Sequence, residues 1–256
     1  MKTIKMIATD LDGTLLREDK TISDFTKSTL ARCRESGIKI VYATGRGGSA
    51  DRRAPKDMFD GRIVMNGAIA RVGSQVVYQR LVPYETARPI LLACDRHGLK
   101  ATSELSGMHY SNFDVNAQWP SLLEDFAITD FAVHDLDAEK LYIVVHTPED
   151  VAFIERHLPE SLYMTVSRDG LAQVMHKEAS KSKALAAVAR LWDIAPEEIV
   201  AFGDDLNDID MLEFAGIGVA MGNALDEVKA VGDFVCLSNE EDGLARWVCE
   251  KIAYNA

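Results

Sequence analysis

The chain has 256 residues, of which 47% are hydrophobic and 27% charged, and its formal net charge is −12. That length suits one large domain or two modest ones, and that composition excludes disordered and collagen-like chains. An acidic balance of this size repels polyanions at long range, which excludes a general nucleic-acid binder but still allows a locally positive pocket for one small anion.

Residues 4–9 (IKMIAT) are a short apolar run rich in β-formers and predict a buried strand. A helix is predicted from a Ser23 cap to about Glu35, with Gly37 as its stop. Residues 38–43 (IKIVYA) predict a second strand, and a helix between two such strands predicts a βαβ crossover in a parallel sheet. A short strand follows at 62–65, then a hairpin over 70–79 turning at Gly73-Ser74. The far end repeats this grammar. Helices are predicted at 181–192, from about Asn207 to Ala215 before Gly216, at 226–231 and at 241–253. The strands between them are 198–202, 217–220 and 233–237.

The middle of the chain differs. Residues 84–178 carry seven Lys and Arg against sixteen Asp and Glu, so this stretch holds −9 of the net −12. It contains a predicted helix over 85–97 ending at Gly98, strands at 141–147 and 171–176, and a helix near 149–157. The expected fold is therefore α/β. A doubly wound, mainly parallel, Rossmann-like core is formed by residues 1–82 and 179–256, and an α+β domain, 83–178, is inserted into it.

Cys33, Cys94, Cys236 and Cys249 form no CxxC pair and no zinc spacing, so they read as reduced and mostly buried thiols. Asp10 interrupts the N-terminal apolar stretch too early for a signal peptide, and no apolar run reaches the roughly 18 residues that span a bilayer. The expected location is the cytoplasm, with no membrane or nucleic-acid partner.

Three constellations follow three predicted strands. Asp10-Leu11-Asp12-Gly13-Thr14 closes the first. In an open parallel sheet, ligands bind outside the carboxyl ends of the strands. Two carboxylates there can divide the work, one attacking or binding a metal and the other handling a proton. Gly13 allows the sharp turn; alone, such a segment also suits a plain acidic turn. Ala43-Thr44-Gly45-Arg46 closes the second strand, where a hydroxyl and backbone N–H groups can form a small anion nest. Arg46 can add a donor fork or face solvent, and Thr44 can equally cap a helix. Gly203-Asp204-Asp205-Leu206-Asn207-Asp208 closes a third strand and invites a hard divalent cation, or a helix-capping run. An EF-hand is excluded, because neither register puts Gly at the sixth and Glu at the twelfth loop position. Lys181, with Lys183 as its rival, sits at a helix start where a cation opposes the helix dipole unless it faces an anion. A nucleophile, a metal site, a hydroxyl clamp and a fixed cation together are what phosphoryl transfer needs. His109, Tyr110, Trp119 and His176 could touch a substrate, and Arg52, Arg53 and Lys56 could attract anions; packing and solvated surface are the competing readings.

With these motifs in the order DLDGTLL (10–16), ATGR (43–46), SKSKAL (180–185) and GDDLNDIDML (203–212), the chain resembles the haloacid dehalogenase superfamily of phosphatases. More narrowly it resembles the Cof-type branch with a type IIB cap, and VMNGA (64–68) and AMGNA (220–224) match recurring segments of that branch. Ser182 stands where the family usually has Gly, and the alignment selects Lys181. The resemblance implies that Asp10 is the nucleophile forming an aspartyl-phosphate and Asp12 the general acid and base. It implies a phosphate clamp of Thr44, Gly45 and Lys181 with Asn207 nearby. It implies Mg²⁺ held by Asp10, the Asp12 backbone carbonyl and Asp204, with Asp208 joining or orienting them. The implied reaction is Mg²⁺-dependent hydrolysis of a small phosphomonoester, sugar phosphates foremost. A phosphomutase of the same superfamily and a non-catalytic phosphometabolite-binding regulator are the alternatives; the intact Asp10, Asp12, Lys181 and Asp204 set argues against the regulator.

Overall fold

Strands whose side chains are buried on both faces need helices on both sides, and the apolar runs of this chain meet that need. The computed structural model describes residues 3–48, 50–120, 125–167 and 169–252, without the side chains of residues 51, 52 and 56. The chain divides into two compact units, Met1–Gln79 with Ser180–Ala256, and Arg80–Ala179.

The first unit begins with β1 (Met6–Thr9), every residue of it buried. Helix α1 (Asp24–Glu35) starts where the Ser23 side chain accepts from the Thr26 N–H. Next come β2 (Lys39–Ala43), a short α2 (Ala50–Arg53), β3 (Gly61–Val64), β4 (Ile69–Val72) and β5 (Gln75–Gln79).

The inserted unit contributes α3 (Tyr84–Arg96), β6 (Ala101–Leu105), β7 (Met108–Ser111), α4 (Val115–Gln118), β8 (Asp125–Ile128) and β9 (Lys140–Val144). It closes with α5 (Pro148–Glu155), β10 (Leu162–Val166) and β11 (Leu171–His176).

The first unit then resumes with α6 (Lys181–Leu191), β12 (Ile199–Gly203), α7 (Ile209–Phe214), β13 (Ile217–Ala220), α8 (Asp226–Val231), β14 (Phe234–Val235) and α9 (Gly243–Lys251).

The large sheet has the order β14-β13-β12-β1-β2-β3-β4-β5. Strands β14 through β3 are parallel, and β3, β4 and β5 are antiparallel. Chain order reverses at β1, which lies between β12 and β2. In register, Thr9 stands beside both Phe202 and Tyr42. The carboxyl ends of β1, β2 and β12 are thus brought side by side at the switch point, where ligands bind in open α/β sheets. The core below them includes Ile7, Ile40, Val41, Leu185, Val188, Phe202 and Val219, all with essentially no exposure.

The inserted unit is a six-stranded sheet, β10-β11-β9-β6-β7-β8, antiparallel except between β7 and β8. Its own core gathers Ile90, Leu91, Cys94, Leu141, Ile143, Ile154 and Val174. Four of its strands, β6, β7, β8 and β10, were not predicted. Strands β6 and β7 carry Thr102, Ser103, Glu104 and His109 and present no apolar run, whereas β8 and β10 hold only the short apolar stretches 126–128 and 162–164.

Three predicted elements change, and the first, the strand over 141–147, ends at Val144 ahead of the Thr147 cap of α5. The strand over 233–237 shortens to Phe234–Val235, because the Gly222 N–H takes the Leu237 carbonyl and draws the chain out of the ladder. The helix predicted from Asn207 opens as a 3₁₀ turn, Leu206–Asp208, before α7. Cys33 and Cys94 are buried, Cys236 is partly covered and Cys249 is exposed, all as free thiols. Among the described residues, no helix is long and apolar enough to cross a membrane.

Candidate active site

Asp10 is the first residue past β1, and its N–H still donates to the Phe202 carbonyl at 3.0 Å, so the sheet itself fixes its backbone. Lys181 opens α6, after a Ser180 cap whose hydroxyl accepts from the Lys183 N–H at 3.3 Å. Lys181 is 1% exposed, and its Nζ donates to Asp10 Oδ1 at 2.7 Å and to Asp208 Oδ1 at 2.6 Å. The structure therefore puts Lys181 among the carboxylates, whereas Lys183 is exposed. Ser182, at the family's glycine position, donates from both N–H and hydroxyl to Asp210 Oδ2, at 3.1 and 2.8 Å.

Asp208 is fully buried, and its second oxygen accepts the N–H groups of Asp204 and Asp205 at 3.0 and 3.1 Å. It therefore holds both the lysine and the loop. Asp204 Oδ1 accepts the Thr14 hydroxyl at 2.6 Å. Carboxylate oxygens of Asp10, Asp204 and Asp208 lie within 4.8 Å of one another.

The electrostatics follow from two buried carboxylates, Asp10 and Asp208, and the half-buried Asp204 around one ammonium. Burial raises the Asp10 carboxyl to about 8; Lys181 pulls it down, and Asp208 and Asp204 push it up again. Burial also raises Asp204 to about 6, against the hydrogen bond from Thr14. Burial alone would strip the proton from Lys181, but the charges of Asp10 and Asp208 outweigh it and hold the ammonium charged. Such a surplus of buried negative charge is compensated by a further cation or by protons. The donor set is all oxygen, which suits a hard cation such as Mg²⁺.

Asp12 lies outside this cluster: its carboxylate turns toward Arg46 and Lys20. The Arg46 fork donates through Nε to one oxygen and through its terminal nitrogen to the other at 2.7 Å, and Lys20 Nζ reaches the latter at 3.0 Å. Burial would raise the Asp12 carboxyl, but these hydrogen bonds win and hold it below the usual carboxylate range. Of the metal ligands expected from sequence, Asp12 can therefore contribute only its backbone carbonyl.

Thr44 is buried at the end of β2, and its hydroxyl accepts the Arg46 N–H at 3.2 Å. Gly45 adjoins Asn66, so closely that a Cβ at Gly45 would stand 2.8 Å from Asn66 Oδ1. Asn207 is exposed and donates from Nδ2 to the same Asn66 oxygen at 2.9 Å. Sequence reasoning gave no role to Thr14, Lys20 or Asn66. Thr14 and Asn66 lie inside quoted segments, whereas Lys20 carries no motif.

His109, Tyr110, Trp119 and His176 belong to the inserted unit. His109 is buried, 3.8 Å from Glu104 Oε2, and Tyr110 packs on His134. Trp119 meets Phe113 edge-on, and His176 Nδ1 accepts the Glu178 N–H at 3.0 Å. Arg53 is exposed; the side chains of Arg52 and Lys56 lie outside the described part of the structure.

A doubly wound sheet with carboxylates, a buried lysine and a hydroxyl-bearing loop at its switch point is an α/β architecture that gathers cation- and anion-binding groups at the ends of its strands. Residues 7–248 match the haloacid dehalogenase-like hydrolase family, and the chain belongs to it. The 5-amino-6-(5-phospho-D-ribitylamino)uracil phosphatase YitU of Bacillus subtilis is 28% identical over 265 residues, covering 96% of each chain. Among solved structures, a subclass IIB sugar phosphatase of the superfamily superposes with a TM-score of 0.81 at 27% identity, over 96% of this chain and 98% of that one. A Thermotoga maritima protein does so with a TM-score of 0.88 at 26% identity, over 99% of each chain.

Proposed function

We propose that the protein is a cytoplasmic, Mg²⁺-dependent phosphomonoester hydrolase that acts on small sugar or polyol phosphates through an aspartyl-phosphate on Asp10. The observation that carries this reading is the buried Lys181 ammonium clamped between Asp10 and Asp208 at the end of β1. A fixed cation beside a strand-end carboxylate is what an anionic nucleophile needs to approach an anionic phosphate.

In this reading Asp10, the Asp12 carbonyl and Asp204 hold the ion, and Asp208 orients them through Lys181 and the loop N–H groups. A bound Mg²⁺ supplies charge neutralisation at the phosphoryl oxygens. Thr44, the Gly45 backbone, Lys181 and Asn207 hold the phosphate. An Asp10 oxygen attacks phosphorus, the ester P–O bond breaks, and the leaving oxygen takes a proton from Asp12. Water then attacks phosphorus, Asp12 accepts its proton, and the phosphate leaves with Asp10 restored. The clamped, ionised Asp12 is in the form required of the base in the second step. Donating a proton in the first step requires the Arg46 fork to let go.

The substrate class rests on two relatives. The name of one places a phosphate on a ribityl chain, and the other is a sugar phosphatase. Each presents phosphate on a hydroxylated carbon chain. The inserted residues 83–178 act as the cap. With their net −9 they are suited to reading the uncharged part of such a substrate and not its phosphate. A phosphate-release screen over a panel of phosphomonoesters, with and without Mg²⁺, tests the reading. Release from sugar and polyol phosphates, dependent on the metal, is the expected outcome. An isomerised sugar phosphate in place of free phosphate would point to a mutase, and no release above that of Asp10→Asn would refute the assignment.

A further inference from the structure

Three loops supply the phosphate-binding residues of the reading above, and one short turn touches all three. It is Met65–Gly67, directly after β3. Its three residues all have positive φ: 52° at Met65, 51° at Asn66 and 93° at Gly67. Left-handed backbone is uncommon for any residue with a Cβ, least so for Asn, and two such residues in succession persist only where their surroundings enforce them.

The surroundings are on view. The Met65 N–H donates to the Arg46 carbonyl and the Asn66 N–H to the Thr44 carbonyl, both at 2.9 Å. Gly67 presses on the other side against the Ser180 carbonyl and the Lys181 N–H, where an added Cβ would overlap the carbonyl. The turn is thus wedged between the Thr44–Arg46 loop and the start of α6. From this wedge the Asn66 side chain reaches the third loop, with Oδ1 accepting from Asn207 Nδ2 at 2.9 Å. The same oxygen sits against Gly45, which leaves no room there for a side chain. An amide NH₂ has two donors. With one committed to Asn66, the Asn207 amide is fixed in rotation and its other N–H remains for a phosphate oxygen.

We infer that Asn66 is a positioning residue for the phosphate: it fixes the Asn207 amide and sets the Thr44–Gly45 loop against the start of α6 without touching the reacting atoms. This rests on the phosphatase reading. It predicts an effect on phosphate affinity and none on the metal, because the Asn66 hydrogen bonds run to Thr44 and Asn207 and not to the carboxylates of Asp10, Asp204 or Asp208.

The test is calorimetric titration of inorganic phosphate into the Mg²⁺-loaded protein, for wild type, Asn66→Gly, Asn207→Ala and the double variant. Glycine keeps the left-handed backbone that alanine would strain and removes only the side chain, and thermal unfolding with Mg²⁺ checks that each variant is folded at the titration temperature. Asn66→Gly is expected to weaken phosphate binding about tenfold, the scale of one charge-assisted hydrogen bond. It should raise KM more than it lowers kcat and leave the Mg²⁺ activation constant unchanged. In the Asn207→Ala background it should cost little more, since the two act as one unit. Phosphate affinity within twofold of wild type, fully additive losses, or a shifted Mg²⁺ constant would overturn the inference. A wild type that binds phosphate yet hydrolyses nothing would remove the functional reading and leave this test standing. A wild type that binds no phosphate would overturn both.

Discussion

Three carboxylates and one ammonium, all but one of them almost fully buried, set the chemistry at the end of β1. Asp10→Asn keeps the shape and removes the attacking oxyanion. Turnover should fall by at least about 10³-fold, the scale seen when a covalent nucleophile is lost, while thermal unfolding shows the fold intact. Near-wild-type hydrolysis by this variant would exclude a covalent role. Asp12 is tested by its leaving group. An alkoxide from a sugar phosphate needs a proton, whereas a nitrophenolate departs as the anion, and general acid catalysis is worth about 10²–10⁴-fold. Asp12→Asn should slow the phosphorylation step severely with a sugar phosphate and much less with p-nitrophenyl phosphate, measured by single-turnover rapid quench. Equal losses would move Asp12 to an electrostatic role beside Arg46. Because the variant keeps the backbone carbonyl, Mg²⁺ affinity should change little.

At the scale of elements, the site depends on loops that lock each other at the ends of β1, β2, β3 and β12. Gly67→Ala puts a Cβ on a residue with φ 93° and drives it into the Ser180 carbonyl. Urea unfolding should show a loss of more than about 1 kcal/mol, the usual floor for Gly→Ala at an incompatible backbone, together with weakened phosphate binding. Unchanged stability would mean that α6 shifts freely, contrary to the wedge. The central strands were legible in the sequence because they are buried on both faces and read as apolar runs. The strand ends were legible because each motif directly follows its strand. Helix α1, expected from the Ser23 cap to about Glu35, runs Asp24–Glu35, since Ser23 caps it and Gly37, at φ 87°, follows its end. Less was legible where the signal is a pairing at a distance. Nothing in sequence couples Arg46 to Asp12, 34 residues away, or Asn66 to Asn207, 141 residues away. A left-handed Met65 has no local signature, and the polar strands of the inserted sheet lack the apolar run that marked the others.

For the whole molecule, the buried carboxylates tie stability to pH and metal. A carboxyl whose folded pKa is raised holds its proton in the native state at pH values where the unfolded chain has lost it. Stability then falls as pH rises from the ordinary carboxyl value toward the raised one. For Asp204, raised from 3.8 to about 6, and Asp10, raised to about 8, the window runs from about pH 4 to pH 8. The Asp204 shift alone corresponds to roughly 3 kcal/mol. The metal-free protein should therefore lose thermal stability across that window, and Mg²⁺ should restore most of it at the alkaline end. A metal-free melting temperature that rises from pH 4 to pH 8 would contradict the burial argument. EDTA should likewise abolish turnover and Mg²⁺ recover it, because the oxygen cluster suits that cation and leaves coordination positions for water and phosphate. Full turnover by metal-stripped enzyme would contradict this. The expectations for turnover depend on Asp10 carrying the phosphoryl group. The most direct measurement is to mix enzyme with Mg²⁺ and a sugar phosphate, quench in acid within the first turnover, reduce with borohydride and sequence the peptides by mass spectrometry. The account predicts homoserine in place of aspartate at position 10, formed only when substrate and Mg²⁺ are both present. Full phosphate release with Asp10 unmodified at every quench time would contradict it.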